Sequence, residues 1–454
     1  VASLLGEGFT FASLYASAAG RSVRVVLVDR EGAARVESVP VDDGRVPSIV
    51  DLVPAAQWDE REAHDLYGIV FDGHEPLRPL VDHDPELGAW TVPVRGHDPY
   101  QVAVGPIHAG VIESGHFRFH LVGDRILHLD ARLFYKHRGL ERAAEGLVLA
   151  DAIAHVQRAC GACTVSNGVA YAHACEDALG LAPQPEVARA RTVLLELERL
   201  WSHLNDIAAV CAGVGLAAGN ARFAGLTERA RRLNERLTGH RLLFRTVRLG
   251  RSDIELDATT VAGARDELTA IRREARRGWR ELLFNTSFVD RLPDVGIVTA
   301  EDALRLGAVG PAARSAGVPI DRRSVATPRL AYRGVVPRVP ERAAGDVQAR
   351  FEQRELELAQ SLDILDELLD APVRPAACDR GGATAPLGVG IVESPRGATS
   401  CVVEHDGAHV ERVRLRTGSY ANWPVVAFAA ADNLLPDFPL VNKSFELCYA
   451  CADR

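Results

Sequence analysis

Methionine is absent from the 454 residues, and lysine occurs only at Lys136 and Lys443 among 52 basic residues. The missing initiator reads as a processed or incomplete start, and the use of arginine for lysine reads as codon usage without functional weight. A long apolar run is also missing. The best stretch, from Pro424 to Ala431, ends at Asp432 and falls short of the ~18 uncharged residues that a spanning helix needs, so the chain is not expected to cross a membrane. No basic region followed by an apolar core marks a secretory leader. Excess positive charge is lacking too, and a net charge of −9 gives no support to nucleic acid as a partner. What is present, 47% hydrophobic and 25% charged residues with 39 Gly and 24 Pro, is globular in character, and the length suggests two or three domains.

The run RSVRVVLVDR at 21–30 reads as a strand that pairs with 33–41 across Glu31-Gly32. Residues 1–82 thus read as a small α/β unit, and the Pro/Gly/Asp-rich stretch at 83–99 as a linker to a second unit spanning 100–454. There, Phe117, Phe119 and Leu121 alternate with Arg118 and His120, and Gly123-Asp124 turns the chain into a second strand. Leu197, Leu200, Trp201, Leu204, Ile207 and Cys211 recur at helical spacing from about 184, and similar stripes cover 222–249, 262–285 and 344–370. The expected fold class is α+β: a docking-sized α/β domain, then a bundle of long helices flanked by antiparallel hairpins. The Pro/Gly/Arg-rich stretch 291–342 is expected to wrap over the surface or reach a partner, and strands return after 385.

Eight cysteines stand at 160, 163, 175, 211, 378, 401, 448 and 451, four of them in the pairs Cys160/Cys163 and Cys448/Cys451. One Cys-x-x-Cys is ambiguous between a redox disulfide, half a zinc site and chance. Two pairs could close a four-thiolate metal site, and 285 positions separate Cys163 from Cys448, far more than structural zinc sites use. The fold would have to bring residue 448 beside residue 160. Soft thiolates suit zinc, iron–sulfur chemistry, copper(I) or nickel, and ligand type alone does not choose. Cys175, Cys211, Cys378 and Cys401 read as small buried hydrophobes.

The residues around the pairs resemble the large subunits of NiFe hydrogenases. Arg158-Ala-Cys160-Gly-Ala-Cys163 is similar to the first cysteine motif of that family, and Cys448-Tyr-Ala-Cys451-Ala-Asp-Arg454 to the second. GPIHAGVIESGHFRF (105–119), FYKHRGLERAAE (134–145), AVGPAARSAGVPIDRR (308–323), ESPRG (393–397) and RTGSYANWP (416–424) resemble the energy-converting, membrane-bound branch typified by formate hydrogenlyase. WDEREAHDLYGI from Trp58 resembles the small hydrophilic subunit of respiratory complex I, fused ahead of the catalytic domain as in that branch. The resemblance implies a Ni-Fe centre carrying cyanide and carbon monoxide, with Cys160 and Cys448 as terminal nickel ligands and Cys163 and Cys451 bridging to iron. It also implies Cys448 as a candidate base for heterolytic cleavage of dihydrogen, Glu113 as the carboxylate that carries the proton away, Arg396 as a charge poised over the metals, and Ser419 as a donor to cyanide. Asn167 stands where the family usually has histidine, and an amide cannot carry protons near neutral pH. Glu446-Leu447 replaces the common Asp-Pro, and Gly418 stands where proline is frequent. His108, His116, His120 and His128 are expected to be structural, as are His137 and Arg138.

The implied partners are an iron–sulfur small subunit holding the clusters this chain lacks, and antiporter-like or complex-I-like membrane subunits. Formate dehydrogenase, carbon monoxide dehydrogenase or ferredoxin would supply electrons, and an endopeptidase would trim the tail after Arg454 during maturation. The expected location is peripheral, on the cytoplasmic face of the cell membrane. The competing readings are a complex-I-like oxidoreductase subunit without nickel, of quinone or scaffold type, and a zinc-stapled structural subunit.

Overall fold

β-Branched residues at 22–28 make Ser22–Val28 the middle strand of an antiparallel sheet, between Thr10–Ala16 and Ala34–Pro40. The pairing with 34–40 is the hairpin expected from the sequence. Helix Gln57–Tyr67 packs on this sheet and stops at Gly68, whose φ of 68° is the left-handed cap that glycine adopts without strain. The computed structural model describes residues 1–83, 91–108 and 113–454. The expected linker therefore falls partly outside the described residues, at 84–90; residues 91–99 carry neither helix nor strand. Residues 109–112 of the 105–119 motif also lie outside them.

The second unit is mixed α+β, as expected. Its core is built on helices Pro185–Val214, Ala217–Thr238, Ala258–Leu283 and Val347–Leu368, which bury Leu200, Leu204, Ile207, Phe223, Leu268, Phe351 and Leu362 together. The second of these ends earlier than its sequence stripe, because Gly239 at φ 79° caps it and residues 240–249 form a loop. A second cluster lies under the hairpin His116–Val122/Arg125–Arg132, where Phe117 and Phe119 meet Trp423, Phe438 and Tyr449. The returning strands are Leu387–Ser394, Gly397–His405 and Val410–Arg416, in one antiparallel sheet. Gly388 and Gly390 let the first of these lie directly on helix Thr164–Ala178. A Cβ at Gly388 would collide with the Ala174 carbonyl, and one at Gly390 with the Ala170 carbonyl.

The stretch 291–342 follows the surface only in part: 325–342 is mostly exposed or half-buried without helix or strand, as expected, whereas 310–323 turns inward. It carries the short helices Ala300–Arg305 and Pro311–Ser315, and it sends Arg314, Asp321 and Arg323 into the interior, where buried carboxylates await them. Cys175, Cys211 and Cys401 are fully buried, as expected, whereas Cys378 is half-buried on the middle strand of a small three-stranded sheet. Among the described residues no helix is long and apolar enough to cross a membrane.

Candidate metal centre

The chain between helices Leu149–Gln157 and Thr164–Ala178 is a tight turn carrying the first cysteine pair. The Thr164 hydroxyl donates to Cys160 O (2.9 Å), and the amide of Ala162 points at Cys160 Sγ (3.2 Å). Cys163 is the N-cap of the following helix, whose first free amides need acceptors. Buried Glu198, from helix Pro185–Val214, supplies them: it accepts from Val165 N (2.6 Å), from Ser166 N (3.1 Å) and from the Ser166 hydroxyl. Burial pushes its carboxyl up from 4.5 to about 7, against those donors.

A raised acid pKa means that the folded state holds its proton more tightly. The stability this contributes is present below pH ~4.5 and lost as pH climbs to about 7, roughly 3 kcal/mol in all at 1.36 kcal/mol per unit. Glu198→Gln has no proton to lose, so its unfolding free energy relative to the parent is expected to rise by about that amount between pH 4.5 and 7. Urea titrations at several pH values read this difference, and a flat difference across the window contradicts it.

The second pair follows helix Phe438–Phe445, which Glu446 ends in a left-handed conformation (φ 47°). Cys448 N donates to Ser419 Oγ (3.1 Å), Ala450 N to Glu113 Oε2 (2.7 Å), and the Thr417 hydroxyl to Cys451 O (3.1 Å). The Asp453 carboxylate accepts from Phe134 N (2.8 Å) and Lys136 N (3.0 Å), which fixes the helix Tyr449–Asp453 to the hairpin side. Arg138, expected only to support the core, spans both motifs: it donates to Arg158 O (3.0 Å) and Ala159 O (2.8 Å) before Cys160, and to Ala450 O (3.4 Å). His137 Nδ1 meets Asp453 O at 2.6 Å. His120 and His128 share Asp130, at 2.9 and 3.2 Å, while His108 and His116 bond Gly115 O and Gly105 O, so each has the structural partner expected.

These fastenings bring the four sulfurs of Cys160, Cys163, Cys448 and Cys451 within 4.8 Å of one another. A metal bound at about 2.3 Å spaces its sulfurs by about 3.8 Å in a tetrahedral arrangement and by about 3.3 to 4.6 Å in a square one, so the set fits a thiolate-held metal. Cys448 is half-buried and the other three are buried. Hydrogen bonds from Cys160, Cys163 and Cys451, with the nearby charge of Arg396, hold the Cys448 thiol well below its usual range; Cys163 and Cys451 are pushed up.

Arg396 occupies the turn between strands Leu387–Ser394 and Gly397–His405. Gly418 presses against it so closely that a Cβ there would lie 2.8 Å from the Arg396 carbonyl. Its Nη1 donates to Asp206 (2.9 Å) and Ser202 (2.7 Å), leaving Nε without a protein partner, and its charge faces Cys448 and Cys163. Asn167 is fully buried one helical turn beyond Cys163, and neither polar atom of its side chain has a partner. Arg354 Nη1 and Asp206 Oδ1 are orphaned likewise. Buried polar atoms are rarely left so, and the spare atoms of Arg396 and Arg354, both paired with Asp206, and of Asp206 itself suit a site that takes polar ligands or water. Glu446 is half-buried near Arg396, and desolvation lifts its carboxyl to about 7.

Asp206 leads away from the sulfurs into a continuous ion network. His203 meets Asp206 at 3.5 Å and Glu357 at 3.1 Å; Glu357 pairs with Arg314 (2.8 Å), which pairs with Glu393 (2.9 Å); and Arg323 binds Asp321 (2.7 Å). Glu198 and Asp206 were missed by sequence reasoning, and Arg138 was read only as a support of the core; the signal available for the first two was charge on the otherwise apolar stripe of helix Pro185–Val214, which is buried over most of its length.

Residues 12–101 match the family described as respiratory-chain NADH dehydrogenase, 30 Kd subunit, and residues 221–379 match the corresponding 49 Kd subunit family. Formate hydrogenlyase subunit 5 of Escherichia coli is 30% identical over 451 residues, which covers 92% of this chain and 79% of that one. The chain belongs to the NiFe-hydrogenase large-subunit family, in its energy-converting, membrane-bound branch. The C/D 2 subunit of NADH-quinone oxidoreductase from Aquifex aeolicus is also 30% identical, over 72% of this chain and 64% of its own length. A chain of an archaeal respiratory membrane complex, the membrane-bound sulfane sulfur reductase, has a TM-score of 0.71 at 26% identity, covering 79% of this chain and 99% of that one. The hydrogenase large-subunit scaffold is thus similar to proteins named for several reactions, and the chemistry has to be argued from the site.

Proposed function

We propose that this chain is the catalytic subunit of an energy-converting NiFe hydrogenase, interconverting protons and dihydrogen, with 1–82 as docking domain, 83–99 as linker and 100–454 as catalytic domain. The convergence of Cys160, Cys163, Cys448 and Cys451 within 4.8 Å carries this reading. Cys160 and Cys448 would hold nickel, and Cys163 and Cys451 would bridge it to an iron bearing cyanide and carbon monoxide. Bound there, the group would supply a soft, redox-active metal pair with an open position for dihydrogen.

The rest is work for this chain's own side chains. Arg396, permanently charged and fixed by Asp206, stabilises thiolate charge and offers its free Nε to a diatomic ligand. Asn167 offers an amide without other partners. Ser419 accepts the Cys448 amide, so its hydroxyl proton is free to be donated. Glu113, tied to the amide between the paired cysteines, is placed to take a proton from the sulfur side and pass it outward. Among the described residues no second group of three or more metal-binding side chains exists, which supports an iron–sulfur partner subunit as electron carrier. Membrane subunits would supply ion coupling, with the chain peripheral on the cytoplasmic face.

Glu113→Gln keeps an oxygen for Ala450 N but cannot ionise. Exchange of deuterium gas with solvent protons is expected to fall by about 10²–10⁴-fold with nickel and iron content unchanged. Parental exchange in that variant would overturn the role of Glu113.

A further inference from the structure

Asp59, Glu60, Arg61 and Glu62 are all buried on helix Gln57–Tyr67 of the N-terminal unit. Buried carboxylates need partners, and two of these find theirs in the second unit. Glu62 accepts from Arg414 (2.6 Å) and from Arg454 (2.6 Å); Asp59 accepts from Arg414 (2.9 Å) and Arg416 (3.0 Å). The Arg454 guanidinium is also held by Glu141 (3.0 Å) and lies 4.7 Å over the ring of Tyr420. Arg454 N donates to Ala450 O (3.1 Å), and its carbonyl accepts from Arg138 N (2.7 Å), so the residue is the last link of the turn that carries Cys451. A helix of five residues does not hold its own shape in water, so anchors outside it decide where Cys448 and Cys451 stand.

We propose that Glu62 is a positioning residue for the second cysteine pair: through Arg454 the N-terminal unit latches helix Tyr449–Asp453, and so keeps Cys448 and Cys451 within reach of Cys160 and Cys163. The fused unit is then part of the metal site's framework as well as a docking element. This rests on the proposed four-thiol centre only where metal binding is concerned.

The test uses the full chain, purified without metal, and two readouts: the rate at which Cys448 and Cys451 react with an aromatic disulfide reagent, and cobalt(II) titration followed by thiolate-to-cobalt absorption. Glu62→Gln is expected to speed labelling and weaken cobalt binding, each by about tenfold or more, since it removes the N-terminal unit's only charged contact with Arg454 among the described residues. Arg24→Ala breaks a different contact between the same units, the 3.1 Å pair with Glu404, and is expected to leave both readouts at the parental value. Parental behaviour of Glu62→Gln, or equal losses in Arg24→Ala, would overturn the latch. Should Glu62→Gln not fold, hydrogen exchange of the parent decides: amides 449–454 opening together with 57–67 supports the latch, and their opening independently refutes it. A parent that binds no cobalt at these sulfurs would count against the metal reading alone, because the labelling rates still judge the latch.

Discussion

Cys448→Ser is expected to lose nickel and to lose dihydrogen turnover by more than about a thousandfold. Altering a group that merely supports a metal ligand costs roughly 10–100-fold, and this change removes the ligand itself. A serine hydroxyl is harder than a thiol and does not ionise near neutral pH, so it cannot replace a soft anionic sulfur. The fold should survive, because Cys448 is half-buried and its backbone bond to Ser419 does not involve the sulfur. Cys211→Ser provides the contrast. That thiol is fully buried in helix Pro185–Val214, outside the four-sulfur group, so its replacement should cost stability while purified folded protein keeps its nickel. Metal analysis and activity on the same preparations check both, and parental nickel in Cys448→Ser would contradict the ligand set.

Arg314→Met is expected to destabilise the protein by about 3–5 kcal/mol, a large fraction of a typical total stability. Its guanidinium is wholly buried and meets three acids: Glu357 at 2.8 Å, Glu393 at 2.9 Å and Asp321 at 3.6 Å. Taking away the cation leaves those charges in a medium that solvates them poorly, which costs far more than the pair's net worth. Glu393 feels this most directly. Burial already raises its carboxyl against the pull of Arg314, so adding Glu393→Gln to Arg314→Met should recover part of the loss. Urea unfolding of the four proteins in this cycle measures it. A single-variant loss under about 1 kcal/mol would show that the network is hydrated or replaceable.

Periodicity made the regular elements legible. The hairpin at 116–132, the strands after 385 and the long helices all lie where alternation or three- and four-residue stripes put them. Reading failed where structure depends on charge meeting charge across the chain. The 291–342 stretch looks like surface by composition, yet Arg314 and Arg323 are buried because Glu357, Glu393 and Asp321 wait inside. Arg323 and Asp321 are neighbours in sequence, but no local window contains the pairing of Arg314 with Glu357 and Glu393. The cysteine pairs were legible as a constellation because their spacing is a chemical signature that survives separation. Their supports were less so: Arg138 was legible only as a core support, and Glu198, Asp206 and Glu62 act through backbone amides or distant guanidinia that no local window contains. Asn167 was visible as a departure from the family pattern, while its lack of any partner is visible only in three dimensions.

The central claim is that the four thiols hold a nickel–iron pair with diatomic ligands. It is tested most directly by an infrared spectrum of the purified complex with nickel and iron analysis on the same sample, Cys448→Ser serving as the blank. The account predicts cyanide and carbonyl stretches that ordinary proteins lack, with nickel and iron in equal amounts and neither feature in the blank. Zinc in place of nickel, or nickel-free protein without those bands from a host that matures such centres, would contradict it and leave a structural or quinone-type relative on the same scaffold.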